Sequence, residues 1–179
     1  MSCNANTTIS SLSAQDIPAN LGELGELMFA CVQDGASIGY VRPFSRRDSE
    51  AFWTEKVLPA VQAGARLLLV ARHGDRLIGS VQLDYDTPPN QPHRADVRKL
   101  LVHPEFRRQG IALALMAELE RRSRALGRSL LTLDTRTGDS AEPLYTSLGY
   151  RTVGIIPGFC RDTGDAGRLD ATTIMYKQL

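Results

Sequence analysis

The stretch HPEFRRQGIALALM, His103–Met116, joins a strand-like run to a helical one. Upstream, ADVRKLLVHP (Ala95–Pro104) reads as a strand. Downstream, Leu113, Met116, Leu119 and Leu126 lie on or near one side of IALALMAELERRSRALG, a helix that closes at Gly127. A strand feeding a glycine turn and then a helix leaves several backbone N–H groups converging on one spot, where the helix dipole adds partial positive charge. Gly110 lets the backbone approach a ligand with no Cβ in the way, Ala112 keeps the next turn small, and Arg107 and Arg108 can neutralise charge from the rim. The turn reads either as a seat for phosphate or as two solvated arginines before an ordinary helix. It contains neither the Gly-Lys-Ser/Thr of a Walker A loop nor a GxGxxG dinucleotide fingerprint.

Outward from this turn the period of the apolar residues sets the remaining elements. TTISSLS is a short strand, and PANLGELGELMFACVQ an amphipathic helix with Pro18 in its first turn. DGASIGYVRPF (Asp34–Phe44) is a loop, and a second helix runs from about Arg47 to Gln62. RLLLVAR and RLIGSVQLDYD form a hairpin about His73-Gly74-Asp75, followed by the proline-rich loop TPPNQPHR. After the long helix come the strand SLLTLDT, the short helix SAEPLYTSLG, and the strands YRTVGII and DATTIMYKQL, these two joined by the loop PGFCRDTGDAGRL. The order is β-α-α-β-β-β-α-β-α-β-β. It implies an α/β fold whose three central strands are antiparallel and whose helical crossovers add parallel strands.

The chain of 179 residues suits one domain over 1–179, with residues 1–6 frayed. Its 21 Lys+Arg against 20 Asp+Glu give no electrostatic reason to expect a nucleic-acid or membrane partner, so any anion site is local. Cys3, Cys31 and Cys160 are widely spaced and make no CxxC pair, and His73, His93 and His103 form no ligand set. No metal is expected, the histidines read as surface residues, and the thiols read as free in a reducing cytosol. The N-terminus lacks the pattern of a signal peptide.

The two blocks LLVHPEFRRQGIALALM and AEPLYTSLGYRTVG together resemble the GNAT superfamily of N-acetyltransferases, whose pyrophosphate loop reads Gln/Arg-x-x-Gly-x-Gly/Ala. Here that loop is Arg107-Arg108-Gln109-Gly110-Ile111-Ala112. The resemblance covers about residue 66 to the end. It implies a central mixed, mostly antiparallel sheet of about seven strands flanked by four helices. Within the superfamily, GASIGY, RADVRKLLV, LLTLDT and PGFC…GRL…TTIMYK are similar to blocks of tabtoxin-resistance acetyltransferases, which acetylate a β-lactam amino-acid toxin.

The resemblance further implies acetyl-CoA as co-substrate, with its pyrophosphate on the Arg107–Ala112 amides and its pantetheine arm on backbone groups of Leu101 and Val102. Tyr145 matches the tyrosine that returns a proton to the departing thiolate. Asp134, at the end of SLLTLDT, can hold the acceptor's ammonium and take its proton, and Asp96, on the strand before the turn, is the competing base. Asp134 reads equally as a cap on the loop that follows it, and Asp96 equally as a partner of Arg94 or Arg98. Tyr40 and Arg42, with Arg161, are candidates for recognising an acceptor carboxylate. Many relatives carry Asn at the position of Gly138, seven residues before the tyrosine, so that cofactor contact is missing here. The expected activity is transfer of acetyl to a primary amine of a small, amino-acid-like molecule in the cytoplasm; the sequence does not fix the oligomeric state, and a homodimer is one assembly open to the chain. Acetylation of a protein N-terminus or lysine, and a CoA-binding sensor without turnover, remain the alternatives.

Overall fold

The computed structural model describes residues 6–165 and 167–179, so Cys3 and most of the frayed segment lie outside it. Seven strands form one sheet in the order β1-β2-β3-β4-β5-β7-β6. They are β1 Thr7–Leu12, β2 Arg66–His73, β3 Arg76–Asp84, β4 Arg94–Val102, β5 Leu130–Arg136, β6 Arg151–Arg161 and β7 Leu169–Gln178. The helices are α1 Asp16–Ala19, α2 Leu21–Gln33, α3 Arg46–Phe52, α4 Leu58–Gln62, α5 Ile111–Ala125 and α6 Ala141–Ser147. Among the described residues only β4 and β5 run parallel; every other neighbouring pair is antiparallel. The chain leaves β5 through α6, forms the outer strand β6, and returns as β7 between β6 and β5.

Alternation along the strands sorts their side chains into two cores. Leu69, Ala71, Val81, Leu131 and Leu133 pack against α5 on one face, with Tyr145 and Tyr150. Leu68, Val70 and Leu101 pack on the other face against Leu24, Met28, Trp53 and their neighbours from the first helices.

Three expected boundaries differ, each for a local reason. The first helix divides at Asn20, whose N–H still reaches the carbonyls of Asp16 and Ile17 while its backbone leaves the helical range. The second helix starts on a capping box, in which Ser45 Oγ accepts from Asp48 N at 3.1 Å, but widens into a π turn over Trp53–Val57. Pro59 lacks the N–H that would reach Glu55, and the wider turn accommodates the missing bond. Finally, β6 runs through Pro157 and Gly158 to Arg161, where a loop is expected. An edge strand tolerates a proline because its outward N–H has no partner, and the pairing with β7 shifts register between Ile156 and Cys160 around Gly158, at φ 61°.

Candidate active site

The parallel pair β4–β5 is joined at only three positions, Arg94 with Leu130, Ala95 with Leu131 and Asp96 with Thr132. Beyond them the strands diverge. The change of course is built into β4. Against β3, Arg98 faces Gln82 and Leu101 faces Ser80, so Lys99 and Leu100 both stand opposite Val81. Lys99 adopts φ 52° in this bulge. The result is a cleft of about 1280 Å3 walled by the second half of β4, by β5, and by the start of α5. Residues of α6, the loop after α2 and the far end of β6 complete it.

The start of α5 opens onto this cleft. Gly110 caps the helix at φ 79°, Arg108 also lies in the left-handed region at φ 62°, and no side chain caps the first turn. The first helical bond runs from Ala114 N to Gly110 O, which leaves the N–H groups of Ile111, Ala112 and Leu113 without intrahelical partners. Gly79 on β3 lets α5 settle this close: a Cβ there would stand 3.0 Å from the Leu101 carbonyl and 3.1 Å from Leu115 Cδ1. Arg107 pairs with Asp34 across the cleft mouth, and its Nε donates to the Val102 carbonyl at 3.3 Å. That carbonyl also accepts from Cys31 Sγ at 3.5 Å. Arg107 thus ties the turn to the end of α2, while Arg108 borders the cleft as an exposed cation.

Of the expected site residues, Tyr40, Asp96, Leu101, Val102, Arg107, Arg108, Gly110, Ile111, Ala112, Asp134 and Tyr145 all border the cleft. Two do not. Gln109 is exposed and is not part of the cleft wall, and Arg42 turns to the Gln33 carbonyl at 3.4 Å and packs on Gly164, where its Nη2 would meet any added Cβ. Arg161, by contrast, borders the cleft. The two carboxylates differ in their commitments. Asp96 accepts from Arg94 Nη1 at 2.6 Å and from Thr132 Oγ1, whereas exposed Asp134 has one long contact, from Thr172 Oγ1 at 3.4 Å. Asp134 does not cap the following loop; that loop is held by Glu142, which accepts from Gly138 N at 2.8 Å, and by Asp139, which pairs with Arg136.

A helix-start anion cradle, a split parallel pair and a buried tyrosine opening on one cleft call for comparison with known proteins. Residues 32–150, more than half of the chain, match the family described as acetyltransferase (GNAT). The chain belongs to the GNAT family. An acetyltransferase of Pectobacterium atrosepticum is 38% identical over 91 residues, 50% of this chain and 61% of that protein. An uncharacterized N-acetyltransferase of Azospirillum brasilense is 32% identical over 127 residues, 68% of this chain and 73% of its own. The chain therefore spans less than two thirds of the Pectobacterium protein's length. The Salmonella typhimurium protein yncA, solved with its cofactor acetyl-CoA, has a TM-score of 0.76 at 19% identity, covering 97% of this chain and 94% of that one. At that identity the likeness is one of fold.

One group of this GNAT chain differs from its expected setting, and one further group joins the site. His103 is not a surface residue: it is only 6% exposed, and its Nδ1 accepts from Glu105 N at 3.4 Å to cap the short 3-10 turn Pro104–Phe106. Burial and the nearby Arg76 charge lower its pKa, so it is neutral at neutral pH. Lys99 carries no signal in the sequence, where KLL reads as an ordinary strand, because a bulge leaves no mark in the alternation. The Lys99 ammonium donates to the Ile38 carbonyl and borders the cleft.

Tyr145 is 6% exposed, with its ring 5.7 Å from that of Tyr150. Burial, then the charges of Asp134 and Asp139, push the Tyr145 phenol pKa well above its ordinary value; burial and the Glu120 charge do the same to Tyr150. The unfolded chain releases these protons at about pH 10 while the folded chain keeps them. The unfolded state then binds fewer protons, so stability falls as pH rises above that point. Urea midpoints measured from pH 8 to 11 are expected to fall, and Tyr150→Phe should flatten the fall. An unchanged slope in that variant would contradict the assignment.

Proposed function

We propose that this chain is an acetyl-CoA-dependent N-acetyltransferase that acetylates a primary amine of a small, amino-acid-like molecule by direct transfer. The observation that carries the reading is that one cleft joins the open N–H groups of α5 to Asp134 and Tyr145 through the unpaired edge of β4. The cradle fits a pyrophosphate in charge and in room, since Gly110 presents no Cβ and no side chain occupies the cap. The cofactor supplies the acetyl group as a thioester.

The chain's own groups divide the work. Leu101 and Val102 lie on β4 beyond its last pairing with β5, so backbone groups there can hold the pantetheine arm and stabilise the negative charge that builds on the carbonyl oxygen during attack. Asp134, with its single weak contact, is the better placed of the two carboxylates to hold the acceptor's ammonium and take its proton; Asp96 is occupied in orienting Arg94 and Thr132. Tyr145, kept protonated by burial, gives its proton to the departing thiolate and is recharged as the amine's proton leaves. Burial holds the Cys31 thiol up at about 11, so it is not a thiolate at neutral pH, which supports direct transfer over an acetylated cysteine.

The acceptor class rests on the blocks similar to tabtoxin-resistance enzymes and on the enclosure of the cleft by the Asp34–Val41 loop and the end of β6. A β-lactam toxin or antibiotic is accordingly one acceptor to test. A cytoplasmic location agrees with the reduced-thiol reading; among the described residues no helix is long and apolar enough to cross a membrane. The outer strand β6 exposes Val153 at 66%, Ile155 at 55% and Phe159 at 51%, which supports a homodimer formed along that edge.

CoA release measured over a panel of amino acids, a β-lactam dipeptide, polyamines and N-terminal peptides tests the reading. Small zwitterionic amines should turn over, also in Cys31→Ala, and sedimentation should report a dimer. Turnover confined to peptides would replace the acceptor class, and acetyl-CoA binding with no turnover at all would make the chain a sensor.

A further inference from the structure

A second cavity, of about 320 Å3, adjoins the cleft and shares Tyr40, Arg98 and Lys99 with it. Its remaining walls are Phe52, Lys56, Arg66 and Gln82, so four of its seven wall residues are cations. The register of the sheet gathers them. Gln82 faces Arg98 across β3–β4, and Arg66 faces Asp84 across β2–β3, with Nη1 of Arg66 donating to Gln82 Oε1 at 3.3 Å.

Asp84 answers two of the charges, standing 2.6 Å from Arg66 Nη2 and 3.3 Å from Arg98 Nε. Lys99 has only the Ile38 carbonyl and the rings of Tyr40 and Phe52, at 6.0 and 5.8 Å. Among the described residues no carboxylate pairs with Lys56 or Lys99. Two donors complete the imbalance. Gln82 is fully buried, its oxygen is taken by Arg66, and its Nε2 meets no acceptor; Arg66 Nε is buried and equally unmet. Buried donors left without acceptors, beside an excess of positive charge, call for a small ligand with acidic oxygens.

We propose that this cavity is the anion subsite of the acceptor pocket, and that it takes the carboxylate of a zwitterionic acceptor whose ammonium lies at Asp134. The proposal rests on the small-amine reading above and narrows it to amino carboxylates. It also moves carboxylate recognition from Arg42, which is turned away, to Lys56, Arg66, Arg98 and Lys99. Lys99 lines both this cavity and the cleft that contains Asp134, so it stands between the places assigned to the two ends of such a molecule.

The test pairs two measurements on the full chain. In the first, kcat/KM is compared for amino acids and their carboxamides. The free acids are expected to be preferred by about 10-fold or more, from charge-assisted hydrogen bonds to the carboxylate. In Lys56→Gln, an exposed position, and in Lys99→Met, this ratio should fall several-fold. In the second, succinate is expected to raise the melting temperature of the wild type above an ionic-strength control, and less so in Lys56→Gln.

Acids and carboxamides reacting alike, with no protection by succinate, would overturn the subsite while leaving acetyl transfer standing. Protection that depends on Lys56 without any preference for acids would mean that the cavity holds a free anion, which overturns the proposal as stated. If no amine turns over yet succinate protects through Lys56, the transfer reading fails and the anion site survives.

Discussion

Replacing Gly110 with Glu is expected to weaken acetyl-CoA binding by about two orders of magnitude or more. Two effects add. The residue sits at φ 79°, where an ordinary side chain carries a backbone cost of about 1–3 kcal/mol. The new carboxylate also lies where the free N–H groups of α5 converge, cancelling a helix-end attraction of up to about 2 kcal/mol and adding repulsion against a pyrophosphate. Gly110→Asn separates these effects, because Asn tolerates the left-handed region and brings no charge. Calorimetric titration with acetyl-CoA should show the Asn variant close to wild type and the Glu variant nearly silent, with both folded by circular dichroism. Equal affinity in the Glu variant would remove the cofactor from this end of the cleft.

Tyr145→Phe is expected to lower the chemical rate by about 10²-fold or more, the usual range for a positioned acid. The ring stays in the core against Tyr150, so the fold and the cofactor affinity should be preserved. A loss in kcat with KM for acetyl-CoA unchanged marks an interaction made only in the transition state. Single-turnover mixing makes chemistry the step observed, and a wild-type rate there would strip Tyr145 of the acid role. The raised phenol pKa adds a second signature: the wild type should not lose its acid between pH 7 and pH 10.

Both predictions concern residues legible in the sequence, and the reason is that each belongs to a local pattern. Short-range periodicity sets Gly110 between a strand and an amphipathic helix and Tyr145 in a helix stopped by Gly149, while the pyrophosphate and acid roles come from the resemblance of those two blocks to GNAT acetyltransferases. What escaped is set by pairing between distant strands. The bulge at Lys99 exists only relative to β3, and the cationic cavity arises because Arg66, Gln82 and Arg98 occupy one face of three neighbouring strands. Arg42 shows the converse. A basic residue in an expected binding loop looks like a recognition group until the chain near Gly164, far away in sequence, is seen to claim it. The extension of β6 through Pro157 was hidden likewise, because a proline stops a central strand but not an outer one.

The three-position seam between β4 and β5 has a mechanical meaning. The sheet consists of two leaves, β1–β4 stiffened by α5 and β5–β7 carrying α6, stitched together near one end. Whatever lies along the open edge of β4 works as a missing strand, clasping the leaves from the other end. Occupancy of the cleft is thereby converted into rigidity, and the amides of residues 97–102 are the place where slowed hydrogen exchange would register it.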